Sequence, residues 1–123
     1  MPVTTQIDIP ERQIESLANV FEALSDPARL RILNLIAHGG ELCNGNIEVI
    51  LNYGNSKISR HFAFLKQAGL IQDRREGVWI YYSLPPVKDK VVQQVHTLLD
   101  MFPELYPIFR EDLERMKSCK CSS

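Results

Sequence analysis

The stretch that most restricts the fold lies between residues 43 and 84. A short helical run beginning near Cys43 or Asn44 ends at Leu51, broken by Asn52-Tyr53-Gly54-Asn55, a turn-forming composition. From Asn55 or Ser56 the residues Ile58, Phe62, Leu65 and Gly69 recur at spacings of four, three and four, the period of a helix with one buried stripe, and Ala68-Gly69 stops it. Two helices joined by a turn are common. The continuation is more specific: residues 70–74 and 78–84 are β-rich runs separated by Arg75-Glu76-Gly77, which reads as a hairpin. In the second run Val78, Ile80, Tyr82 and Leu84 share one face, and Trp79, Tyr81 and Ser83 share the other, so one set packs on the helices. A helix-turn-helix followed at once by a two-stranded ribbon is a winged helix. The expected class is therefore mainly α with a small β-hairpin.

Helices flank this unit on both sides. Ile14, Leu17, Val20, Phe21 and Leu24 mark a first helix beyond a short polar arm that ends near Pro10. Ser25-Asp26-Pro27 supplies a cap and a first-turn proline for a second, which carries Leu30, Ile32, Leu33, Leu35 and Ile36 to Gly39-Gly40. After Pro85-Pro86 a fifth helix is expected from about Val87 to Phe102, stopped by Pro103, and a last amphipathic segment carries Leu105, Ile108, Phe109, Leu113 and Met116. At 123 residues this is one domain. Its expected division is a flexible arm over residues 1–10, a winged-helix and dimerisation domain over 11–117, and a flexible cysteine-containing tail over 118–123.

The formal charge of −1 alone argues against a polyanion partner, but its distribution leaves a phosphate-facing stripe open beside ordinary solvated charge. Residues 1–54 carry a net −4 and residues 55–80 a net +3, so the basic stretch coincides with the fourth helix and the wing. No uncharged run approaches the roughly 18 residues a membrane helix needs, and no export signal is expected. Three cysteines, Cys43, Cys119 and Cys121, then read as reduced cytoplasmic thiols rather than a disulfide framework.

Three blocks carry a resemblance. Residues 24–33, Leu-Ser-Asp-Pro-Ala-Arg-Leu-Arg-Ile-Leu, are similar to the start of the second helix in small winged-helix metalloregulators of the arsenical-resistance repressor type. Ser56-Lys57-Ile58-Ser59-Arg60-His61, through Leu65 to Ile71, resembles their recognition helix and its exit; residues 75–84 resemble their wing. The resemblance implies a cytoplasmic homodimer, joined through its first and fifth helices, that represses transcription from double-stranded operator DNA until a toxic metal or metalloid binds. Glu41-Leu42-Cys43 stands where the arsenite-responsive branch reads Glu-Leu-Cys-x-Cys-x-x-Cys. The second and third cysteine positions are here Gly45 and Glu48, so the usual three-thiol site on the third helix cannot exist.

With Ile58 as the buried reference, 100° per residue places Ser56, Lys57, Arg60 and Gln67 on the opposite side of the fourth helix, free to enter a major groove. Arginine reads guanine with two parallel bonds, and a helix N-terminus favours phosphate oxygens. The candidate DNA contacts are Ser56, Lys57, Ser59, Arg60 and His61 with Arg74 and Arg75 of the wing. His61 lies at the edge of the buried sector, where a half-buried structural role is equally open. Trivalent arsenic and antimony, the expected effectors, prefer three thiolates. Cys43 lies where a helix N-terminus favours the thiolate, and Cys119 and Cys121 can chelate one ion together, so Cys43, Cys119 and Cys121 form the candidate metalloid site. Three alternatives stand beside it. A thiol redox sensor would use the same cysteines. A zinc or nickel site on the fifth helix has Asp89, His96 and Asp100 but no second histidine, a poor tetrahedral set. A small enzyme built on Cys43, His61 and Asp73 has no supporting motif, and no catalytic residue is assigned.

Overall fold

The computed structural model describes residues 3–87 and 89–119, with side chains from Pro10 onward. Its elements in chain order are α1 (Val3–Ala23), α2 (Pro27–Gly39), β1 (Leu42–Cys43), α3 (Asn44–Leu51), α4 (Asn55–Gln67), β2 (Gln72–Glu76), β3 (Trp79–Ser83), α5 (Lys90–Leu105) and α6 (Pro107–Ser118).

Local chemistry sets most of these boundaries. Asp26 Oδ1 accepts from the N–H groups of Ala28 (2.8 Å) and Arg29 (3.3 Å) while Pro27 opens α2, satisfying donors that the first helical turn leaves free. Burial works against the Asp26 charge, but the Arg29 and Ala28 N–H groups outweigh it and hold the carboxyl below its ordinary 3.8. α3 ends at Asn52, whose left-handed backbone (φ 57°) turns the chain toward α4. After α4, Gly69 adopts φ 79° and Leu70 N–H donates back to Leu65 C=O at 3.0 Å, which closes the helix and launches the wing.

The sheet has three antiparallel strands in the order β1-β3-β2. β3 is central: Arg74 pairs with Tyr81 and Arg75 with Ile80 on one side, and Cys43 with Tyr81 on the other. β1, two residues long, has no counterpart in the sequence reading because two residues show no period. The hairpin also turns later than expected, at Gly77-Val78, so Val78 projects into solvent instead of joining Ile80, Tyr82 and Leu84 on the packed face. Tyr82 stacks on Phe62 of α4 with ring centroids 3.8 Å apart, fixing the wing to the recognition helix.

The core lies between α2, α3, α4 and α5, with Ile32, Leu33, Leu35, Ile36, Ile47, Ile58, Leu65 and Leu99 fully buried. Two helix boundaries differ from the sequence reading. α1 begins at Val3 and carries Pro10 inside it, rather than starting after Pro10. α5 begins at Lys90 and runs through Pro103 to Leu105. Pro103 removes one helical N–H donor, yet α5 carries it within its last turn; the break falls at Tyr106, held extended (φ −134°, ψ 120°) by the following Pro107. Pro107 then opens α6, which packs against α2, α3 and α5. No helix among the described residues is long and apolar enough to cross a membrane.

Candidate nucleic-acid interface and thiol centre

α4 turns Ile58, Phe62 and Leu65 into the core and leaves Ser56, Lys57, Ser59 and Arg60 exposed on its N-terminal half. These four candidate contacts therefore share one open surface. Lys57 Nζ lies 4.0 Å from the centroid of the Tyr53 ring, which packs in the turn just before α4. Arg75 is exposed on β2 with no ion pair among the described residues, whereas Arg74 holds Glu41 through two hydrogen bonds (2.7 and 2.9 Å), lies 3.6 Å from Glu76 and covers the Tyr81 ring. The Arg74 hydrogen bonds hold the Glu41 carboxyl below its ordinary 4.5. To meet a phosphate, Arg74 has to leave Glu41.

His61 faces inward. Its Nδ1 lies 3.4 Å from the Arg29 guanidinium, and because arginine only donates, a hydrogen bond between them requires Nδ1 to be the unprotonated acceptor. Burial lowers its pKa below the ordinary 6.5; Asp26 opposes this and Arg29 adds to it. Arg29 also donates to the carbonyls of Ala23 (2.9 Å) and Glu22 (3.0 Å) at the end of α1 and lies over the Phe64 ring, so it joins α1 to the recognition helix.

Against the expectation of three reduced thiols, Cys43, fully buried at the N-cap of α3, is disulfide-bonded. Cys119, just beyond α6, is a free thiol and half-buried against the core. Asn46, in the first turn of α3, touches both sulfurs. Its Oδ1 accepts from Cys43 N–H at 3.3 Å and lies 3.2 Å from Cys43 Sγ; its Nδ2 donates to Cys119 Sγ at 3.6 Å. Cys121, the third expected ligand, lies outside the described residues, as do residues 120–123 of the expected tail. Among the described residues there is no cluster of three or more His, Cys, Asp or Glu side chains poised for a metal ion.

The two positions where the resemblance expects cysteine are committed elsewhere. A Cβ on Gly45 would lie 3.3 Å from Cζ3 of Trp79, so a side chain there is accommodated only if the indole shifts by a few tenths of an ångström. Glu48 accepts from Asn55 Nδ2 at 2.8 Å, bracing the start of α4.

A second cluster, absent from the sequence reading, ties α6 to the helix-turn-helix. Asp112 is fully buried on α6 and receives two hydrogen bonds from Arg31 of α2 (2.8 and 2.9 Å) and another from Arg115. The Arg31 hydrogen bond to Asp112 raises the guanidinium's pKa further. Arg31 also donates to Tyr53 Oη (3.2 Å), and Arg115 to the Ile50 carbonyl (3.1 Å) at the end of α3. α6 thus meets α3 at both ends, through Arg115 at one and Cys119 at the other. Nothing local flags Asp112, whose partner Arg31 is 81 residues away. Asn46 did carry a signal, a polar side chain in the first turn of a helix.

A recognition helix with an exposed basic face, locked to a three-stranded wing, defines a winged helix-turn-helix DNA-binding protein. Residues 26–73 match the model of the bacterial regulatory protein, arsR family. Two regulators from Pseudomonas putida are 43% identical: the arsenic resistance transcriptional regulator ArsR1 over 72% of this chain and 66% of its own length, and ArsR2 over 68% and 70%. The solution structure of the homodimeric winged helix-turn-helix domain of Mb0332 from Mycobacterium bovis superposes with a TM-score of 0.65 at 28% identity, covering 79% of this chain and 86% of that one. The protein belongs to the arsR family of bacterial regulatory proteins. The relatives and neighbours found are transcriptional regulators, not enzymes.

Proposed function

We propose that this protein is a metalloid-responsive repressor that binds operator DNA as a homodimer and leaves it when trivalent arsenic or antimony is captured by Cys43, Cys119 and Cys121. The observation that carries this reading is the placement of Asn46, one side chain in contact with the sulfurs of Cys43 and Cys119. The P. putida relatives are regulators of arsenic resistance, which supports the choice of effector. The reduced protein is the form that ligates, since a thiolate and not a disulfide sulfur is the donor.

Ser56, Lys57, Ser59 and Arg60 would enter the major groove, with Arg75 meeting the backbone from the wing. α1 and α5 would join two copies. Ile14, Leu17 and Phe21 of α1 and Val91, Leu98 and Met101 of α5 are exposed apolar side chains, and Leu17, Phe21, Val91 and Leu98 line one open groove of about 380 Å³. The switch would run through α6. A metalloid that tightens Cys119 against Cys43 pulls on the helix that also holds Ile50 through Arg115 and Tyr53 through Asp112 and Arg31, and Tyr53 underlies Lys57. Couplings of roughly 1 to 3 kcal/mol are enough to change DNA affinity by about 5- to 150-fold.

The test is operator binding of the reduced protein titrated with arsenite, antimonite and zinc. Release by arsenite in the parent, and retention in Cys119→Ser and in a chain ending at Ser118, is the expected result; equal release by all three proteins overturns the assignment. The disulfide on Cys43 favours a second reading, in which oxidation of the same thiols drives release. Peroxide, in place of arsenite, then dissociates the complex.

A further inference from the structure

We propose that Asn46 is the positioning residue of the thiol centre, holding Cys119 beside Cys43 in place of the cysteines that α3 lacks. The proposal rests on the metalloid reading above and adds to it the residue that brings the site together.

α3 alone cannot build a thiol centre. With Gly45 packed under Trp79 and Glu48 turned to Asn55, Cys43 has no second thiol on its own helix. A second donor has to come from a distant part of the chain, and its side chain has to be fixed in place before the ligand arrives if affinity is not to be lost to ordering it. α6 delivers Cys119 to the start of α3, and the contact that receives its sulfur is the Asn46 amide, 73 residues away in sequence.

Asparagine suits this place for a chemical reason. Its amide carries an acceptor and two donors on one short, planar group. The acceptor closes the first turn of α3 on Cys43 N–H, and a donor reaches Cys119 Sγ. Aspartate keeps the first contact and loses the second. Serine is too short to make the second. At 7% exposure the amide has little water to exchange with, so its orientation is set by these two partners. Asn46 is not itself a ligand: an amide oxygen is hard, and trivalent arsenic is soft. Its role is to aim a sulfur.

The probe is phenylarsine oxide, which takes two thiols per arsenic. Two As–S bonds form, the oxide oxygen leaves as water with the two thiol protons, and arsenic stays trivalent. In fully reduced Cys121→Ser protein the remaining thiols are Cys43 and Cys119. This protein is expected to take up one reagent per chain with the near-ultraviolet absorption of As–S bonds. Adding Asn46→Asp or Asn46→Ser is expected to weaken uptake at least tenfold, more than any accompanying fall in the urea midpoint accounts for. Uptake as tight as the parent's in both variants overturns the proposal, as does a loss that appears only in proportion to lost stability. If Asn46→Asp does not fold, Asn46→Ser alone decides. The metalloid reading fails separately: a parent protein that keeps its operator in arsenite sinks that reading, while phenylarsine oxide uptake across the variants still decides the role of Asn46.

Discussion

Replacing Asp112 by asparagine tests whether α6 is a structural brace of the DNA-binding unit. The carboxylate is fully buried and is shared by two guanidinium groups, Arg31 with a side chain 21% exposed and Arg115 48% exposed. Removing one partner of a fully buried ion pair costs about 3 to 5 kcal/mol, because the other charge is left without compensation. Here the stranded groups are arginines that still reach water, and asparagine keeps one acceptor, so the expected loss is smaller, about 2 to 3 kcal/mol. For a chain of this size that is a fall in Tm of roughly 3 to 5 °C per kcal/mol. Urea unfolding at fixed protein concentration measures it, the concentration being held because a dimer's stability depends on it. A cycle of Arg31→Ala, Asp112→Ala and the double variant isolates the pair, with an expected coupling of about 1.5 to 3 kcal/mol. Arg31→Met combined with Asp112→Leu should recover part of the loss, since it removes both buried polar partners and leaves Arg115 its bond to Ile50. A loss under about 0.5 kcal/mol for Asp112→Asn, with additive single changes, would show that the cluster is an idle surface pair.

Three further outcomes follow from the same geometry. His61 has its pKa lowered by burial, so the unfolded chain binds its proton more readily; stability is full above about pH 6.5 and falls as the pH drops below it, and His61→Gln should flatten that decline in urea midpoints measured across the interval. Arg60→Ala should cost roughly 1 to 3 kcal/mol on operator DNA and little on random DNA if it reads guanine, whereas Arg75→Ala should weaken both and reduce the salt slope by about one; identical losses on both DNAs for Arg60→Ala would remove it from base reading. Trp79 is the single tryptophan and packs over Gly45 beside Cys43, so arsenite titration of the reduced protein should change its fluorescence in step with operator release, and an unchanged signal would place the metalloid elsewhere.

The winged helix was legible because every device that builds it is local. The Asp26 cap, the Asn52 turn and the Gly69 stop each act over a handful of residues, and each stands where the sequence puts it, whereas the alternation around Tyr82 holds from Ile80 onward but not at Val78. Cys43 at the start of α3 was legible for the same reason. What escaped depends on partners far apart in the chain. β1 exists because β3 has a free edge for it, and Arg31 meets Asp112 only after α6 folds back on α2. His61 marks the boundary between the two cases: its helical angle put it at the edge of the core, and Arg29 from another helix decides that it turns inward. Pro103 shows that a breaker need not mark the boundary: α5 runs two residues past it and ends only where Pro107 holds Tyr106 extended.

The packing of Gly45 beneath Trp79 carries a historical consequence. A Cβ at position 45 would lie 3.3 Å from the half-buried indole of Trp79, so a cysteine there requires that indole to give way by a few tenths of an ångström. Regaining the cysteine therefore asks for a small shift of the wing and not for the loss of its tryptophan.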